Sequence, residues 1–189
     1  MARTKSFEPA VALEKAMIEF WQQGYERTST DTLTASMGVG KRSLYDTFGS
    51  KHDLYLRTLV TYIERAEASH AEAVEAVPHA GLPRVRALLR SRVEIPGCPA
   101  GCYAVNAATE RPDDPDVLAA VTGYFTRSRD LITWLLRQEA GWAGVTSEQR
   151  NSAAETIHNT WLGLRVQARL GRPDLELDAE TDELLTRFR

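Results

Sequence analysis

Apolar residues return every three or four positions along almost the whole chain, and no stretch alternates apolar with polar residues as a half-buried strand must. Ala10, Leu13, Met17, Phe20 and Trp21 set the spacing near the amino end. It resumes in Leu54, Leu59, Ile63 and Ala66, again in Val85, Leu88, Leu89 and Val93, and again from Val117 through Val121, Tyr124, Phe125, Leu131, Leu135 and Leu136. The spacing predicts an all-α protein of about nine helices with no internal repeat: a three-helix head at the amino end, then a longer helical body.

Stop and start signals place the helix ends. Gly24 follows the first helix as a left-handed terminator. Thr28 and Asp31 have the spacing of a capping box, which predicts a short second helix ending at Met37-Gly38. The third runs from near Lys41 to Phe48-Gly49. Ser50 with Asp53 opens a long fourth helix to about Val77, and Pro78 to Pro83 punctuates the chain. The fifth stops at Pro96-Gly97-Cys98-Pro99, and the sixth spans about Gly101 to Glu110. Asp114 and Pro115 supply the cap and first-turn proline of the seventh. Thr146 to Gln149 caps the eighth, which reaches Arg169 or Leu170, and Asp178 to Phe188 forms the ninth.

A length of 189 residues fits one domain, or one with a small appendage. The helix pattern suggests a division into a head, 1–52, and a body, 53–189. No apolar run is long enough to cross a membrane, and the charged start lacks the core of a signal peptide, so a cytoplasmic protein is expected. Two cysteines do not staple a chain this long. Net charge is −3, yet residues 1–51 carry seven bases against six acids while the remainder is acidic. So mild a balance excludes binding to nucleic acid through a broad positive field; any such binding needs placed contacts.

Residues 30–48 supply the placement. Two short helices crossing through a tight turn need a small residue where they touch, a glycine at the turn and apolar anchors. Thr34, Gly38, Val39 and Leu44 stand at those offsets, with Leu33 and Met37 completing the apolar set. Any glycine corner between amphipathic helices meets part of this pattern. The longer run is more specific. Leu13, Ala16, Phe20, Gly24-Tyr25 and Thr28, then Gly38 through Lys51, and Leu54 resemble the amino-terminal domain of TetR-family transcriptional regulators over about residues 10–57. Thr34 stands where the family generally has Ala, and Gly40 where a capping residue is common. The resemblance implies a homodimer, a helix-turn-helix head and a helical body that binds a small effector, with double-stranded operator DNA as partner and no membrane partner or cofactor.

Residue chemistry then nominates contacts. The start of a recognition helix faces base edges, where Lys41 and Arg42 suit guanine or phosphate and Ser43 and Thr47 suit either base or phosphate. Tyr45 offers a phenol to a phosphate. Thr28 and Thr30 sit where a helix start attracts an anion. Lys51 is a phosphate clamp by resemblance. Arg3 and Lys5 offer a basic arm.

Gly101-Cys102 with Asn106 four residues on resembles one branch of the family, some of whose members sense electrophiles or oxidants at this cysteine. A helix start lowers a thiol pKa, and Cys98 is close enough in sequence to resolve an oxidised Cys102. A redox-switched repressor is therefore the alternative to effector release; a buried apolar role for Cys102 is the bland one. Two cysteines without a second pair nominate no metal site. Cys102, Tyr103, Asn106, Tyr124, Phe125, Trp134, His158 and Trp161 outline an effector pocket, with Trp142 a further aromatic candidate. Ile157, Trp161, Leu164, Ala168 and Arg169, then Leu184, Leu185 and Phe188, form by resemblance a four-helix dimer interface. A cysteine-dependent enzyme is a remote reading, because no nucleophile signature surrounds Cys102. A scaffold using the helix-turn-helix for protein contact is equally remote.

Overall fold

A computed structural model describes residues 7–188. Among the described residues nine α-helices follow one another: α1 (Pro9–Gln23), α2 (Thr30–Met37), α3 (Lys41–Phe48), α4 (Lys51–Glu75), α5 (Leu82–Arg90), α6 (Tyr103–Glu110), α7 (Pro115–Leu136), α8 (Ser147–Arg169) and α9 (Asp174–Thr186). A 3-10 turn, Ala140–Trp142, lies between α7 and α8, and no strand occurs among the described residues. No helix of the described residues is long and apolar enough to cross a membrane.

Caps explain most boundaries. The Ser50 hydroxyl accepts from the Asp53 N–H at 3.1 Å and the Asp53 carboxylate accepts from the Ser50 N–H at 2.7 Å, a reciprocal box opening α4. Thr146 and Gln149 repeat it at the start of α8. Asp114 accepts from the N–H groups of Asp116 and Val117 ahead of Pro115. The second helix departs from its sequence pattern. Ser29, not Thr28, caps α2, accepting from the Thr32 N–H at 3.0 Å. Thr28 instead donates to the Gly24 carbonyl at 2.6 Å, an acceptor one turn back that its buried side chain reaches first. The fifth helix ends at Arg90 rather than near Val93, and α9 begins at Asp174, four residues earlier than its apolar pattern suggests. Pro173 supplies the extended residue before α9, and Asp174 and Glu176 in its first turn suit the positive end of the helix dipole.

The spine is α4, which packs against α1, α5, α6 and α7. Its contact with α1 is aromatic: Phe20 meets Tyr55 edge-on at 5.1 Å and Trp21 meets Tyr62 at 5.0 Å. Tyr103 of α6 joins them, 5.9 Å from Trp21 and 5.7 Å from Tyr62, so one continuous core runs from head to body. Each such ring, fully buried, contributes about 2–3 kcal/mol. The helix that leaves the head therefore enters the body without a break.

Candidate nucleic-acid interface

The turn between α2 and α3 is built from Gly38 and Gly40. Gly38 takes the left-handed conformation (φ 71°), and its N–H and that of Val39 both donate to the Thr34 carbonyl. Gly40 opens α3 with no side-chain cap, as glycine must. Leu44 and Phe48, one turn apart, are buried and pin α3 to the core, while Lys41, Arg42 and Tyr45 are exposed and Ser43 and Thr47 half-exposed. The result is a short helix with a basic, hydroxyl-bearing outer face. Lys41 pairs with Asp31 at 2.6 Å and Arg42 with Asp46 at 3.7 Å, both pairs standing in solvent.

The other nominated contacts fall differently. Thr30 lies in the first turn of α2, half-exposed. Thr28 is a correction: its side chain is fully buried and its hydroxyl is held by Gly24, so it has no free face for a phosphate. Lys51 opens α4 with its ammonium 4.2 Å above the Tyr25 ring, and burial lowers its pKa. Arg3 and Lys5 lie outside the described residues.

Polar ties bind the head to the body. Arg111 at the end of α6 reaches Glu26 at 2.6 Å and Asp114 at 3.0 Å, and lies over the Tyr25 ring. His52 of α4 meets the same Asp114 at 2.9 Å. Burial alone would raise the Asp114 pKa, but Arg111, the Val117 N–H and His52 together pull it down to about 2. Arg169 of α8 donates to the carbonyls of Trp21 and Gln22, the open end of α1. Asp116 joins His52 and Asp114 in a cluster with the spacing of metal ligands, but Asp114 is already paired with the Arg111 guanidinium.

In the body, a small chamber of about 10 Å³ lies among α4, α7 and α8, lined by Tyr62, His70, Cys102, Tyr124, Trp161 and Arg165. Of the eight nominated effector residues, Cys102, Tyr124 and Trp161 line it. Tyr103 is buried in the aromatic wall beyond, sharing a hydrogen bond with Thr58 at 3.1 Å. Phe125 and His158 pack behind the chamber, 5.8 Å apart, and Asn106 is half-buried away from its lining. Trp134 is a correction, being 51 % exposed on the outer side of α7. Trp142 lies apart from the chamber too, its N–H donating to the Phe188 carbonyl at 2.8 Å. Cys102 is fully buried. Burial raises its pKa, outweighing the Tyr62 hydroxyl and the Ala104 and Val105 amides that favour thiolate. Half-buried Cys98 is likewise pushed up, to about 11, and both thiols are free. Burial thus works against the thiolate at both positions. Tyr62, His70 and Arg165 are lining residues the sequence reading passed over; Arg165, one turn after Trp161 on an otherwise apolar stripe, was the available signal.

Most of the nominated dimer residues are corrected. Ile157, Trp161, Leu164, Ala168, Leu184 and Leu185 are buried within the single chain, Arg169 is held by α1, and Phe188 packs on Trp142. Their stripe faces inward. The outward face of α8 carries Thr156, Asn159, Thr160, Gly163, Val166 and Leu170, with Leu175 of α9 beside it, 83 % exposed.

Comparisons with known proteins agree with this geometry. Residues 12–58 match the profile of bacterial regulatory proteins of the tetR family. YezE of Bacillus subtilis (strain 168), an uncharacterized HTH-type transcriptional regulator, is 36% identical over 121 residues, spanning 62% of this chain and 62% of that relative, under two thirds of its length. The HTH-type transcriptional repressor ComR of Escherichia coli (strain K12) is 29% identical over 174 residues, covering 89% of this chain and 83% of ComR. Among solved structures, a cysteine-substituted form of the TetR family transcriptional regulator CifR, complexed with 26-bp double-strand operator DNA, has TM-score 0.83 and 30% identity over 98% of both chains.

Proposed function

The chain belongs to the tetR family of bacterial regulatory proteins, and from that premise we propose that it is a dimeric repressor that binds a palindromic operator and is released from it by a small molecule. The relatives named above are transcriptional regulators, not enzymes. The observation that carries the DNA-binding reading is the outer face of α3. Lys41, Arg42, Ser43, Tyr45 and Thr47 are among the side chains that α3 leaves outside once Leu44 and Phe48 lock it to the core. In this reading Lys41 and Arg42 meet guanine edges or phosphates, Ser43 and Thr47 meet bases or the backbone, and Tyr45 and Thr30 meet phosphates. Lys51, braced on Tyr25, takes a phosphate at the start of α4.

A second copy is needed because two recognition helices must enter major grooves about 34–36 Å apart, or a multiple of that. The outward face of α8 supports pairing: its small residues permit close helix approach, and Val166 and Leu170 stay exposed without a partner. Release runs through α4, which carries Lys51 at one end and His70 at the chamber. An occupant that enlarges the chamber moves this helix and changes the spacing between the two heads. It does so only by binding the released form more tightly, by about 5.5 kcal/mol for a complete switch.

A mobility-shift titration of the intact protein against the DNA upstream of its own gene tests the reading. Retarded complexes that salt weakens are expected. The absence of any retarded band at moderate salt overturns it.

A further inference from the structure

The chemistry of the chamber names the effector's charge, an inference that rests on the regulatory reading only for what the chamber is used for. Arg165 projects inward from α8 and is 5% exposed. Its Nη2 donates to the Leu89 carbonyl at 2.7 Å, its guanidinium lies 5.4 Å from the Trp161 ring, and its Nε is buried with no partner. None of the ion pairs among the described residues includes it. The charges and titratable groups it senses are Arg92, which repels it, and the Cys102 thiol and the Tyr62 and Tyr124 phenols. Its neighbours are treated otherwise. Arg92 holds Asp174 at 2.9 Å and Asp178 at 2.6 Å, Arg90 holds Asp182 at 2.8 Å, and Arg111 holds Asp114 at 3.0 Å. Removing a guanidinium from water without a counter-charge is costly, and a structural role rarely calls for it.

Its position is equally telling. Arg165 and Gly101 border both the inner chamber and an outer groove of about 470 Å³ walled by the non-helical segment 92–101. Gly101 brings that segment against α8: at φ 105°, a Cβ there would stand 2.9 Å from the Arg165 carbonyl. A molecule entering from the groove therefore meets the guanidinium before it meets the rings of Trp161, Tyr124 and His70.

We infer that Arg165 is the anion-binding residue of the effector chamber and that the effector is a small organic carboxylate whose apolar body lies against Trp161, Tyr124 and His70. The guanidinium fork matches a planar carboxylate. One unpaired positive charge balances a monoanion, and Arg92, already neutralised by two aspartates, adds nothing for a second negative charge. The aromatic walls suit an apolar body. The chamber itself has room for about one water, so anything larger must displace α4 or the 92–101 wall. That displacement is what a release mechanism requires.

Calorimetric titration of the full chain with benzoate and hexanoate, against benzamide, hexanamide and inorganic phosphate, tests the inference together with Arg165→Met. At least one acid binds, its amide binds at least tenfold more weakly, and R165M weakens the acid at least tenfold. Without any acid, the urea midpoint of R165M is equal to or above wild type, because the Leu89 carbonyl keeps the Trp161 N–H at 3.1 Å and an uncompensated charge is gone. Acid and amide binding alike, no acid binding, phosphate binding more tightly than any acid, or undiminished acid binding by R165M each overturns the inference. So does a lowered urea midpoint, which makes Arg165 structural. A mobility shift with the same acid separates the two readings. Arg165-dependent binding that leaves the DNA complex intact supports the anion site and removes its regulatory role.

Discussion

Lys41 and Arg42 each face an aspartate across solvent, and such exposed, salt-screened pairs contribute little. Phosphates therefore displace Asp31 and Asp46 readily, and the two cations remain available to DNA. Lys41→Ala is expected to weaken operator and random DNA alike and to flatten the plot of log affinity against log salt by about 0.9 per protomer. An unchanged slope removes Lys41 from the phosphate contacts. His70 carries a different kind of prediction. Burial, then Arg165, then His158 push its pKa from 6.5 down to about 4. The folded state thus resists a proton that the unfolded chain accepts, so stability falls as pH drops from about 6.5 towards 4. The share due to His70 approaches roughly 3 kcal/mol. Urea midpoints at pH 7, 5.5 and 4.5 measure it: in His70→Phe the decline is shallower by that amount, and parallel declines refute the assignment. Residues of this kind show how far sequence reaches. Charged and hydroxyl groups at the start of α3 were legible because they sit outside an obvious apolar pair. Thr28 was misread because burial, which decides its role, is a property of neighbours and not of spacing.

At the level of elements, side-chain caps wrote the helix starts plainly wherever a polar residue had no nearer acceptor, as with Ser50, Asp114 and Thr146. Ends were harder. The fifth helix stops at Arg90 because Ser91 turns its hydroxyl back to the Leu88 carbonyl while Ser69 on α4 holds the Arg92 carbonyl, a tertiary contact no local pattern contains. Two glycines at element junctions separate backbone need from spatial need. Gly38 has φ 71° with nothing within 4 Å of an added Cβ, whereas at Gly101 (φ 105°) that atom would collide with backbone of α8. Gly38→Ala is therefore expected to lower stability by about 1–2 kcal/mol, the strain of a left-handed residue alone. Gly101→Ala should lower it further, by denaturant unfolding monitored through helical circular dichroism. Equal losses would mean that the 92–101 segment yields freely. The stripe on α8 belongs here as well. Ile157, Trp161, Leu164 and Ala168 announce a buried face, but periodicity is the same whether the face meets its own chain or a second one. The contact with α7 and α9 settles it inward.

Considered whole, the molecule is one core with a reading head at one end, and its behaviour depends on how rigidly head and body move together. Asp114 is the hub of one tie, joined to His52, Arg111 and the first turn of α7. Asp114→Asn keeps an acceptor for the Val117 N–H and removes the charge that Arg111 pairs with. Amide hydrogen exchange should quicken across residues 25–52 while α8 is unchanged; uniform protection would show that the aromatic core alone fixes the head. None of this places two heads one helical turn apart, which depends on the outward face of α8. Gly163 lies on that face, and a Cβ added there meets nothing within 4 Å apart from its own helix backbone. Gly163→Arg therefore leaves the folded protomer intact, with an unchanged melting temperature at protein concentrations where wild type is monomeric. In a two-fold pair the same substitution sets two guanidiniums and their bulk against each other, because an isologous contact repeats every change. Sedimentation should then report a monomer. Operator affinity should fall by orders of magnitude, towards that for a single half-site, since one recognition helix loses the linked binding of the other. A dimer that survives Gly163→Arg with full operator affinity would move the pairing surface elsewhere on the body, leaving α3 as the reading helix and reassigning only what holds the two copies in register.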